Sequence, residues 1–505
     1  MALTWWQRGV IYQIYPRSFA DASGDGVGDL PGMRRHLDHL AWLGVDGLWT
    51  SPIYPSPMAD FGYDVANYTD VDPVFGTLDD FDALVSAAHR RNLRVVLDWV
   101  PNHTSDRHPW FMASRGSRNN PYRDWYLWRD RPNNWKAAFS DDPAWTFDPR
   151  TEQYYLHHFL SQQPDLNWNN PAVRTAMYDV LRFWLDRGVD GFRADVVHLI
   201  GKHAALLDDP EDVPPGGRVT WHIDPLTHDW LREIRAVLDA YPDERMMVGE
   251  INLLDPVQVS SYTGPDQLHL AFNFNLLRAE WDADAFRTAV DRVEAATIDR
   301  GTWPALVLSN HDEPRHRTRY GGSEQRARVA AVVLLTLRGT PFLYAGEELG
   351  LADAVIPAER VVDPGGRDPC RAPLPWTGRP DHGWPAAEPW LPWPPEPDTR
   401  NVAAQRRDPA SIAHLYARML ARRRSDEVLQ VGALELLDAP RSVLSYDRIS
   451  DAGRRRVLAN FSDAPVQFDV GRSWQVVIAT DQQREGTRFD GRLAGVEALV
   501  LEPAG

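Results

Sequence analysis

Short strand-like runs alternate with amphipathic helical stretches over most of this chain, and this rhythm limits the possible folds more than any other feature. A parallel strand needs a crossover helix before the next strand, so the alternation predicts repeated βα units. The predicted strands are the β-branched and aromatic runs 10–16, 47–52, 94–103, 191–197, 246–252, 268–274, 305–312 and 341–346. Eight strands with helices between most of them predict an α/β fold of the (β/α)8 barrel type.

An open, doubly wound parallel sheet is the competing α/β architecture. Such a sheet usually carries a glycine-rich, phosphate-binding turn directly after its first strand. No such turn follows Pro16, where the first predicted strand ends. The sequence therefore favours the closed barrel.

Three segments depart from the alternation. Residues 104–169 lack clear helical periodicity, which predicts a functional loop or a small inserted domain. Residues 350–400 are dense in proline and predict a long surface loop. After Asp426, short alternating segments without a convincing helix predict an antiparallel β domain. The expected domains are a barrel of residues 1–103 and 170–426, an inserted domain B of residues 104–169, and a C-terminal β domain of residues 427–505.

Charge and cysteine content exclude several functions. The chain has 54 Lys and Arg against 71 Asp and Glu, a net charge of −17, which argues against a nucleic-acid partner. Its one cysteine, Cys370, excludes a disulfide framework and a cysteine-based zinc site. We recognise no signal peptide and no apolar stretch of about 18 residues. We therefore expect a cytoplasmic protein with no membrane partner and leave its oligomeric state open.

Acidic and cationic side chains follow the carboxyl ends of four predicted strands. In a parallel barrel these ends meet at one mouth, where the working groups lie. Arg193 and Asp195 are two residues apart on one strand, so their side chains share a face. The other strand ends contribute Asp98, Asn102, His103, Glu250, His311 and Asp312. Several carboxylates that converge on one mouth predict a catalytic cluster.

Four of these runs carry a family resemblance. In order along the chain, 98–103, 191–197, 249–252 and 308–315 resemble the four signature regions of the α-amylase superfamily, glycoside hydrolase family 13. The segments 44–57, 163–167 and 339–350 extend the resemblance over almost the whole chain, and 163–167 is similar to a hallmark of exo-acting α-glucosidases of the oligo-1,6-glucosidase group. The resemblance implies a barrel, a domain inserted after the third strand, a C-terminal β domain and no organic cofactor.

The resemblance also implies a role for each acid. Asp195 would be the nucleophile, Glu250 the general acid and then base, and Asp312 the third carboxylate, which holds sugar hydroxyls as the ring flattens. A retaining glycosidase needs one ionised carboxylate at attack distance and one protonated acid beside the leaving group. We expect Arg193 to keep Asp195 ionised through the proximity of its charge. The expected reaction releases terminal α-glucose from short maltose-type or isomaltose-type α-glucosides through a glucosyl-enzyme intermediate.

Further residues are expected to bind the substrate. By the same resemblance, Asp60 would hold outer hydroxyls of the terminal glucose and Tyr63 would stack on its ring. Arg400 is similar to an arginine that pairs with this aspartate, although a solvated loop charge is an equal alternative. The complete set of expected substrate-binding residues is Asp60, Tyr63, His103, Arg193, His311 and Arg400, with the two histidines as donors to glucose hydroxyls.

The segment 21–29 has the spacing of a cation-binding loop. Asp21, Ser23, Asp25 and Asp29 place oxygen ligands at loop positions one, three, five and nine, and the Val27 carbonyl falls at position seven. The twelfth position is Gly32, so a bidentate acid is missing. A polar turn whose aspartates cap local amides is the alternative. The resemblance implies a structural Ca²⁺ (or Mg²⁺) on this loop, remote from the chemistry.

Linkage preference and the fate of the glucosyl group remain open. By the resemblance, a valine directly after the nucleophile, here Val196, favours α-1,6 bonds. The next two residues, Val197 and His198, differ from those that usually follow in the oligo-1,6-glucosidase group. Residues in the loops 201–220 and 350–400 can also contribute to linkage preference. One alternative is a glucosyl-transferring relative, a sucrose isomerase or transglucosidase, which would share every catalytic residue. Another is a non-catalytic carbohydrate-binding relative, which typically lacks catalytic carboxylates and carries a membrane anchor.

Overall fold

A computed structural model describes residues 4–138, 140, 142–203, 205–210, 225–385 and 388–504. Its strands in chain order are β1 (Ile11–Ile14), β2 (Gly47–Thr50), β3 (Arg94–Trp99), β4 (Trp128–Arg129), β5 (Trp145–Asp148), β6 (Gln153–Leu156), β7 (Gly191–Ala194), β8 (Met246–Gly249), β9 (Leu270–Asn273), β10 (Ala305–Val307), β11 (Thr340–Tyr344), β12 (Ala433–Leu436), β13 (Val443–Ser450), β14 (Gly453–Asn460), β15 (Val466–Gln467), β16 (Trp474–Ala479), β17 (Arg492–Leu493) and β18 (Glu497–Pro503).

The helices lie mostly between the strands. They are α1 (Trp5–Arg8), α2 (Leu30–Arg35), α3 (Leu37–Leu43), α4 (Leu78–His89), α5 (Pro109–Ser114), α6 (Pro171–Asp186), α7 (Thr227–Asp239), α8 (Pro256–Ser261), α9 (Ala283–Ile298), α10 (His316–Arg319), α11 (Glu324–Thr336), α12 (Val402–Arg407), α13 (Ile412–Ser425) and α14 (Glu427–Val431). Within the described ranges, no helix has the length and apolar character that crossing a membrane requires.

Eight parallel strands close into a barrel. The order around it is β1, β2, β3, β7, β8, β9, β10 and β11, and β11 pairs with β1 to complete the ring. Ile11 pairs with Gly47 on one side and with Phe342 on the other. This architecture, together with the C-terminal antiparallel sheet, confirms the expected fold class and excludes the open doubly wound sheet.

Capping residues mark the ends of several helices. Thr77 and Asp80 form a capping box at the start of α4, in which each side chain accepts from the other residue's N–H. Asn170 caps α6, whose first residue is Pro171. Gly44 ends α3 at a φ of 95°, a left-handed conformation that glycine adopts at little cost. These caps set where each helix returns the chain to the barrel.

The core has an inner and an outer part. Inside the barrel, side chains that include Trp49, Phe272 and Phe342 fill the space between the strands. Outside it, the opposite face of each strand packs against the helices in one large cluster. The barrel strands are therefore buried on both faces, which explains their nearly continuous apolar sequences. A filled interior leaves the barrel mouths as places for ligands.

Residues 104–169 contain their own small structure. The helix α5 is followed by a three-stranded antiparallel sheet in the order β4, β6, β5. Isolated bridges join His103 to Asp165 and Tyr126 to Leu166, so the end of this segment lies beside the end of β3. The segment consequently covers one side of the barrel mouth.

The C-terminal part forms a five-stranded antiparallel sheet, in the order β12, β13, β14, β18, β16, and a separate pair of β15 with β17. The sheet packs on α11 of the barrel. Tyr446 shares a 2.6 Å hydrogen bond with the hydroxyl of Thr336, and Arg448 donates to the Thr336 carbonyl, also at 2.6 Å. All three residues are buried, so the barrel and the sheet share one continuous core.

The proline-dense segment 350–400 is more than the surface loop that we expected. Its residues Asp368, Arg371, Trp376, Trp384 and Leu391 are all buried. The aromatic rings and arginines of the segment hold it against the barrel, where Trp376 donates to the Phe19 carbonyl at 2.7 Å. Proline fixes its irregular backbone, while these side chains give it a defined place beside the mouth.

Candidate active site

A cavity of about 300 Å³ lies at the carboxyl ends of the barrel strands. Six of the residues that the sequence predicts for the site line it: Asp60, Tyr63, His103, Asp195, Glu250 and Asp312. The lining is completed by Phe159, Val196, Asn252, Phe274, Arg278, Asn310, Glu313, Gly365 and Arg367. The three expected catalytic carboxylates therefore meet around one space.

The guanidinium of Arg193 forms ion pairs with three carboxylates of the site. Its Nη1 lies 2.6 Å from Asp195 and 3.0 Å from Asp98, and its Nη2 lies 2.7 Å from Glu250. One guanidinium can bridge two carboxylates only when they lie within a few ångströms of each other. The side chain of Arg193 is 2% exposed and does not line the cavity, so its contacts in this structure are with the acids that it orients. Direct contact of Arg193 with substrate stays a prediction.

Three buried carboxylates surround this single cation. Burial raises the pKa of Asp195 well above its usual range, and the neighbouring carboxylates raise it further, although Arg193 opposes the shift. Burial likewise raises the pKa of Asp98 to about 7. The expectation that Arg193 keeps Asp195 ionised thus covers only one of two opposing effects, because the sequence does not show how far burial disfavours the charged form.

Asp312 has the opposite environment. Burial opposes its ionisation, but His311 and the guanidinium groups of Arg367 and Arg371 outweigh burial and hold its pKa below the usual range. The two arginines approach the same oxygen, Oδ1, at 3.1 Å and 3.0 Å. Asp312 is therefore an ionised acceptor that faces the cavity, suited to hold sugar hydroxyls.

One end of the cavity is closed by a cluster around Asp60. Arg367 donates to Asp60 Oδ1 at 2.5 Å, and Gln163 donates to Oδ2 at 3.0 Å. Gln163 also lies 3.1 Å from Nε2 of His103. Because burial lowers the pKa of His103 to about 4, its ring is neutral near pH 7. These groups are joined to one another by hydrogen bonds and present further hydrogen-bonding atoms to a sugar at this end of the cavity.

Arg400 does not pair with Asp60, and this expectation is wrong. Its Nη1 lies 2.8 Å from Glu324 and its Nε lies 2.5 Å from Glu396, so both ends of its guanidinium are engaged elsewhere. The physical reason is local: Arg400 lies two residues before α12 and faces the first turn of α11, where Glu324 lies. Arg367 takes the place beside Asp60.

Tyr63 lines the cavity, whereas His311 lies behind it. The two rings are stacked at 5.4 Å with an interplanar angle of 10°, and the Tyr63 hydroxyl lies 2.5 Å from His311 Nε2. Tyr63 also donates to Asp98 at 3.1 Å, and Gln13 approaches His311 Nδ1 at 2.7 Å. His311 is fully buried and both its nitrogens have partners, so it orients Tyr63 from behind the cavity wall, and its expected donation to glucose stays a prediction.

Val196 adopts an unusual backbone conformation at φ 32° and ψ 41°. A β-branched residue is strained in this left-handed region, and such strain concentrates at functional sites. The conformation points the Val196 N–H at Glu250 Oε2, 3.1 Å away, while Asn252 donates to Oε1 at 3.2 Å. Both oxygens of Glu250 are therefore held beside Asp195.

The predicted cation loop has suitable oxygens that are not arranged as a cage. Asp21 accepts from the N–H groups of Gly24 and Gly26, and Asp29 accepts from Ala22 and Gly32. Both aspartates are buried, and neither forms an ion pair within the described part of the chain. Among those residues, no three His, Cys, Asp or Glu side chains are placed to hold a metal. The donor chemistry fits a hard cation, but binding would require Asp21, Ser23, Asp25, Val27 and Asp29 to converge.

The sequence reasoning missed Arg367, Arg371, Asn252 and Arg278. Asp363 accepts hydrogen bonds from both Arg367 and Arg371, which lie four and eight residues further on. The spacing of one acid and two arginines within the proline-dense segment was the sequence signal for this cluster. Because no helix or strand is predicted there, the sequence does not show where these side chains point. Part of the other loop with a possible role in linkage preference, 201–220, lies outside the described residues.

Comparisons with known proteins agree with this geometry. Residues 13–432 match the family model of the α-amylase catalytic domain. A probable α-glucosidase from Rhizobium meliloti is 42% identical, with 91% of this chain and 90% of the relative covered. An oligo-1,6-glucosidase from Parageobacillus thermoglucosidasius is 37% identical over 93% of this chain and 92% of the relative. The crystal structure of XgtA, an α-glucosyl transfer enzyme, superposes with a TM-score of 0.92 at 38% identity, covering 99% of this chain and all of that one.

The fold and site define a barrel enzyme of the glycoside hydrolase class. More particularly, the chain belongs to the α-amylase family, glycoside hydrolase family 13, as its signature segments indicate.

Proposed function

We propose that this protein is a retaining exo-α-glucosidase that releases terminal α-glucose from short α-glucosides. One observation carries the proposal: Asp195 and Glu250 both contact the guanidinium of Arg193 at the wall of a cavity that is closed at one end. Retaining enzymes place their two carboxyl groups about 5–5.5 Å apart, whereas inverting enzymes leave room for a water between them. A shared guanidinium fits the closer arrangement.

The chemistry then follows from the positions of these acids. Asp195 attacks C1 of the terminal glucose while Glu250 gives its proton to the leaving oxygen, so the glycosidic bond breaks and a glucosyl ester forms. Glu250 next takes a proton from water, the water oxygen attacks C1, and the ester bond to Asp195 breaks. Asp312 holds ring hydroxyls during both steps, and its contact strengthens as the ring flattens.

The closed end supports exo action. Asp60, Arg367 and Gln163 form a hydrogen-bonded wall, against which only a chain terminus fits. Soluble starch should therefore lose single glucose units from its ends and should not be shortened at random. Val196 lines the cavity next to the nucleophile. Because valine at this position favours α-1,6 bonds by the family resemblance, we also propose a preference for isomaltose-type substrates.

Product analysis by NMR tests the proposal. Purified protein is mixed with maltose, isomaltose, sucrose and longer α-1,4 and α-1,6 oligomers, and the anomeric signals are followed from the first turnovers. We expect free glucose with initial α configuration, and faster release from isomaltose than from maltose. Initial β-glucose would overturn retention, and internal cleavage of starch would overturn the closed pocket.

Glucosyl transfer is the second candidate, favoured by the similarity to XgtA at 38% identity. Transfer differs from hydrolysis only in which oxygen attacks the glucosyl ester. Arg278 and Asn252 line the cavity, and Asn252 contacts Glu250, so both are candidates to position an acceptor. Isomerised sucrose or new glucosides in the same NMR experiment, in excess over free glucose, would establish transfer.

We also propose a structural Ca²⁺ on the loop 21–29 and a cytoplasmic location. The support for the cation is the pair of buried aspartates, Asp21 and Asp29, because buried carboxylates are normally paired or coordinate metals. We expect 1 mM Ca²⁺ to raise the melting temperature of chelator-treated protein, and Asp21→Asn to abolish this response. An equal response in both proteins would refute the site. The support for a cytoplasmic location is that the single cysteine, Cys370, is buried and free, as is usual in a reducing compartment.

A further inference from the structure

A second cavity of about 310 Å³ lies at the other end of the barrel. Its wall includes Val10, Asp46 and Arg94, which lie at or just before the amino ends of β1, β2 and β3. The helix α1 and the carboxyl end of α13 complete it. Because the strands run from this end to the catalytic mouth, the two cavities are separated by the length of the barrel. The second cavity is as large as the first, although nothing in the proposed reaction uses it.

Four arginines line this second cavity: Arg8, Arg94, Arg423 and Arg424. Among the described residues that line it, Asp46 is the only acid. Its Oδ1 lies 3.1 Å from Arg424, and its Oδ2 accepts from the Val10 N–H. Asp190, behind the wall, pairs with Arg94 at 2.8 Å. The cavity therefore keeps an excess of positive charge in a chain whose net charge is −17.

Two of these arginines lack a carboxylate partner among the described residues. Arg423 is 1% exposed, and its buried Nε has no hydrogen-bond partner among the described residues. Its Nη atoms donate to the backbone carbonyls of Leu335, Leu337, Leu429 and Gly339. Arg8 is exposed at the rim, and no carboxylate in the described part of the chain forms an ion pair with it. The nearby charge of Asp46 and the backbone carbonyls offset only part of the cost of burying this Arg423 guanidinium, because burial still lowers its pKa, and a bound anion would offset more of it.

We propose that this second cavity binds a small phosphorylated compound, such as a phosphorylated sugar. The planar guanidinium fork matches the oxygens of a phosphate group, and several arginines around one space are typical of phosphate recognition. The remaining wall offers the indole ring of Trp5 and the polar side chains of Asn92 and Gln430 to the unphosphorylated part. The phosphate contacts Arg8 at the rim, next to a wall that Arg423 and Arg424 make positive, and the rest of the compound lies against Trp5.

Isothermal titration with pyrophosphate as the probe tests this site. A saturating glucosidase inhibitor, 1-deoxynojirimycin, is present throughout to occupy the catalytic cavity and its own arginines. We expect saturable binding at one site per chain, weaker at higher salt, with glucose 6-phosphate also binding and citrate binding less tightly than pyrophosphate.

Paired charge reversals locate the site. Arg8→Glu should weaken pyrophosphate binding at least tenfold. The matched control is Arg300→Glu, because Arg300 is an exposed arginine in the turn before β10, at the same end of the barrel but outside the cavity wall. It should change the affinity less than twofold. Absence of saturable binding, equal losses in both variants, or tighter binding of citrate would each overturn the proposal.

Discussion

Replacement of Arg367 by glutamine gives the sharpest test of how the cavity recognises a terminal sugar. The side chain is 10% exposed and forms ion pairs with Asp60, Asp312 and Asp363. Removing one partner of a buried ion pair costs about 3–5 kcal/mol, because it leaves an uncompensated charge. Asp60 keeps Gln163 and Asp312 keeps Arg371, so we take the lower end of this range for the site. About 3 kcal/mol in the transition state corresponds to a loss of about 100-fold in kcat/KM.

The pH dependence separates this role from a merely structural one. Burial raises the pKa of Asp60, and Arg367 opposes that shift. Without Arg367 the carboxyl ionises only at higher pH, so the acid limb of the kcat/KM profile should move to higher pH in Arg367→Gln. The assay is hydrolysis of 4-nitrophenyl α-glucoside between pH 4 and 9, with circular dichroism to verify folding.

Arg400→Gln is the matched control, since Arg400 is an arginine of the same segment whose partners are Glu324 and Glu396. It should keep kcat/KM within about threefold of the wild type and leave the acid limb in place. If Arg400→Gln loses as much activity as Arg367→Gln, or if Arg367→Gln stays within threefold of the wild type, the assignment of the closed end is refuted.

Three further predictions concern single residues. Asp195→Ala should lower kcat more than about 10³-fold, since no other carboxylate can form the ester, while titration calorimetry still detects isomaltose binding; retained turnover would contradict the assignment. Asp98→Asn should flatten the dependence of the free energy of unfolding on pH. Burial raises the pKa of this carboxyl to about 7, so its contribution to stability is fully present below pH 4 and is lost as the pH rises to 7. Urea unfolding of both proteins at pH 5 and pH 7.5 measures the difference. Thr77→Ala removes the capping box of α4 and should lower the free energy of unfolding by about 1 kcal/mol without changing kcat/KM; an activity loss would show that α4 affects the site.

The barrel could be predicted because local signals repeat along the chain. A nearly continuous apolar run such as 94–99 is typical of a strand buried on both faces, and residues such as Thr77 and Gly44 mark where helices begin and end. The catalytic acids could be predicted for the same reason, since Asp195 and Glu250 directly follow β7 and β8 and strand ends of a parallel barrel share one mouth.

The partners of these acids could not be predicted in the same way. Arg367 and Arg400 lie in one irregular segment, and only the path of its backbone decides which of them reaches Asp60. His311 lies beside Asp312 in the sequence, but burial behind Tyr63 removes it from the cavity wall. Periodicity gives the face on which a side chain lies within a helix or strand; it gives no such information where neither element is present.

The balance of charge around Arg193 connects the geometry of the site to its two-step chemistry. Asp98, Asp195 and Glu250 share this one cation, so full ionisation would leave two uncompensated negative charges in a buried space. The raised pKa values of Asp195 and Asp98 express this excess, which favours retention of a proton within the cluster. The first step needs such a proton on Glu250. When Asp195 becomes a neutral ester, one negative charge disappears from the cluster, and Arg193 then faces two carboxylates, Asp98 and Glu250, in place of three. The number of ionised carboxylates that share one guanidinium therefore changes between the two steps, while the guanidinium itself stays in place.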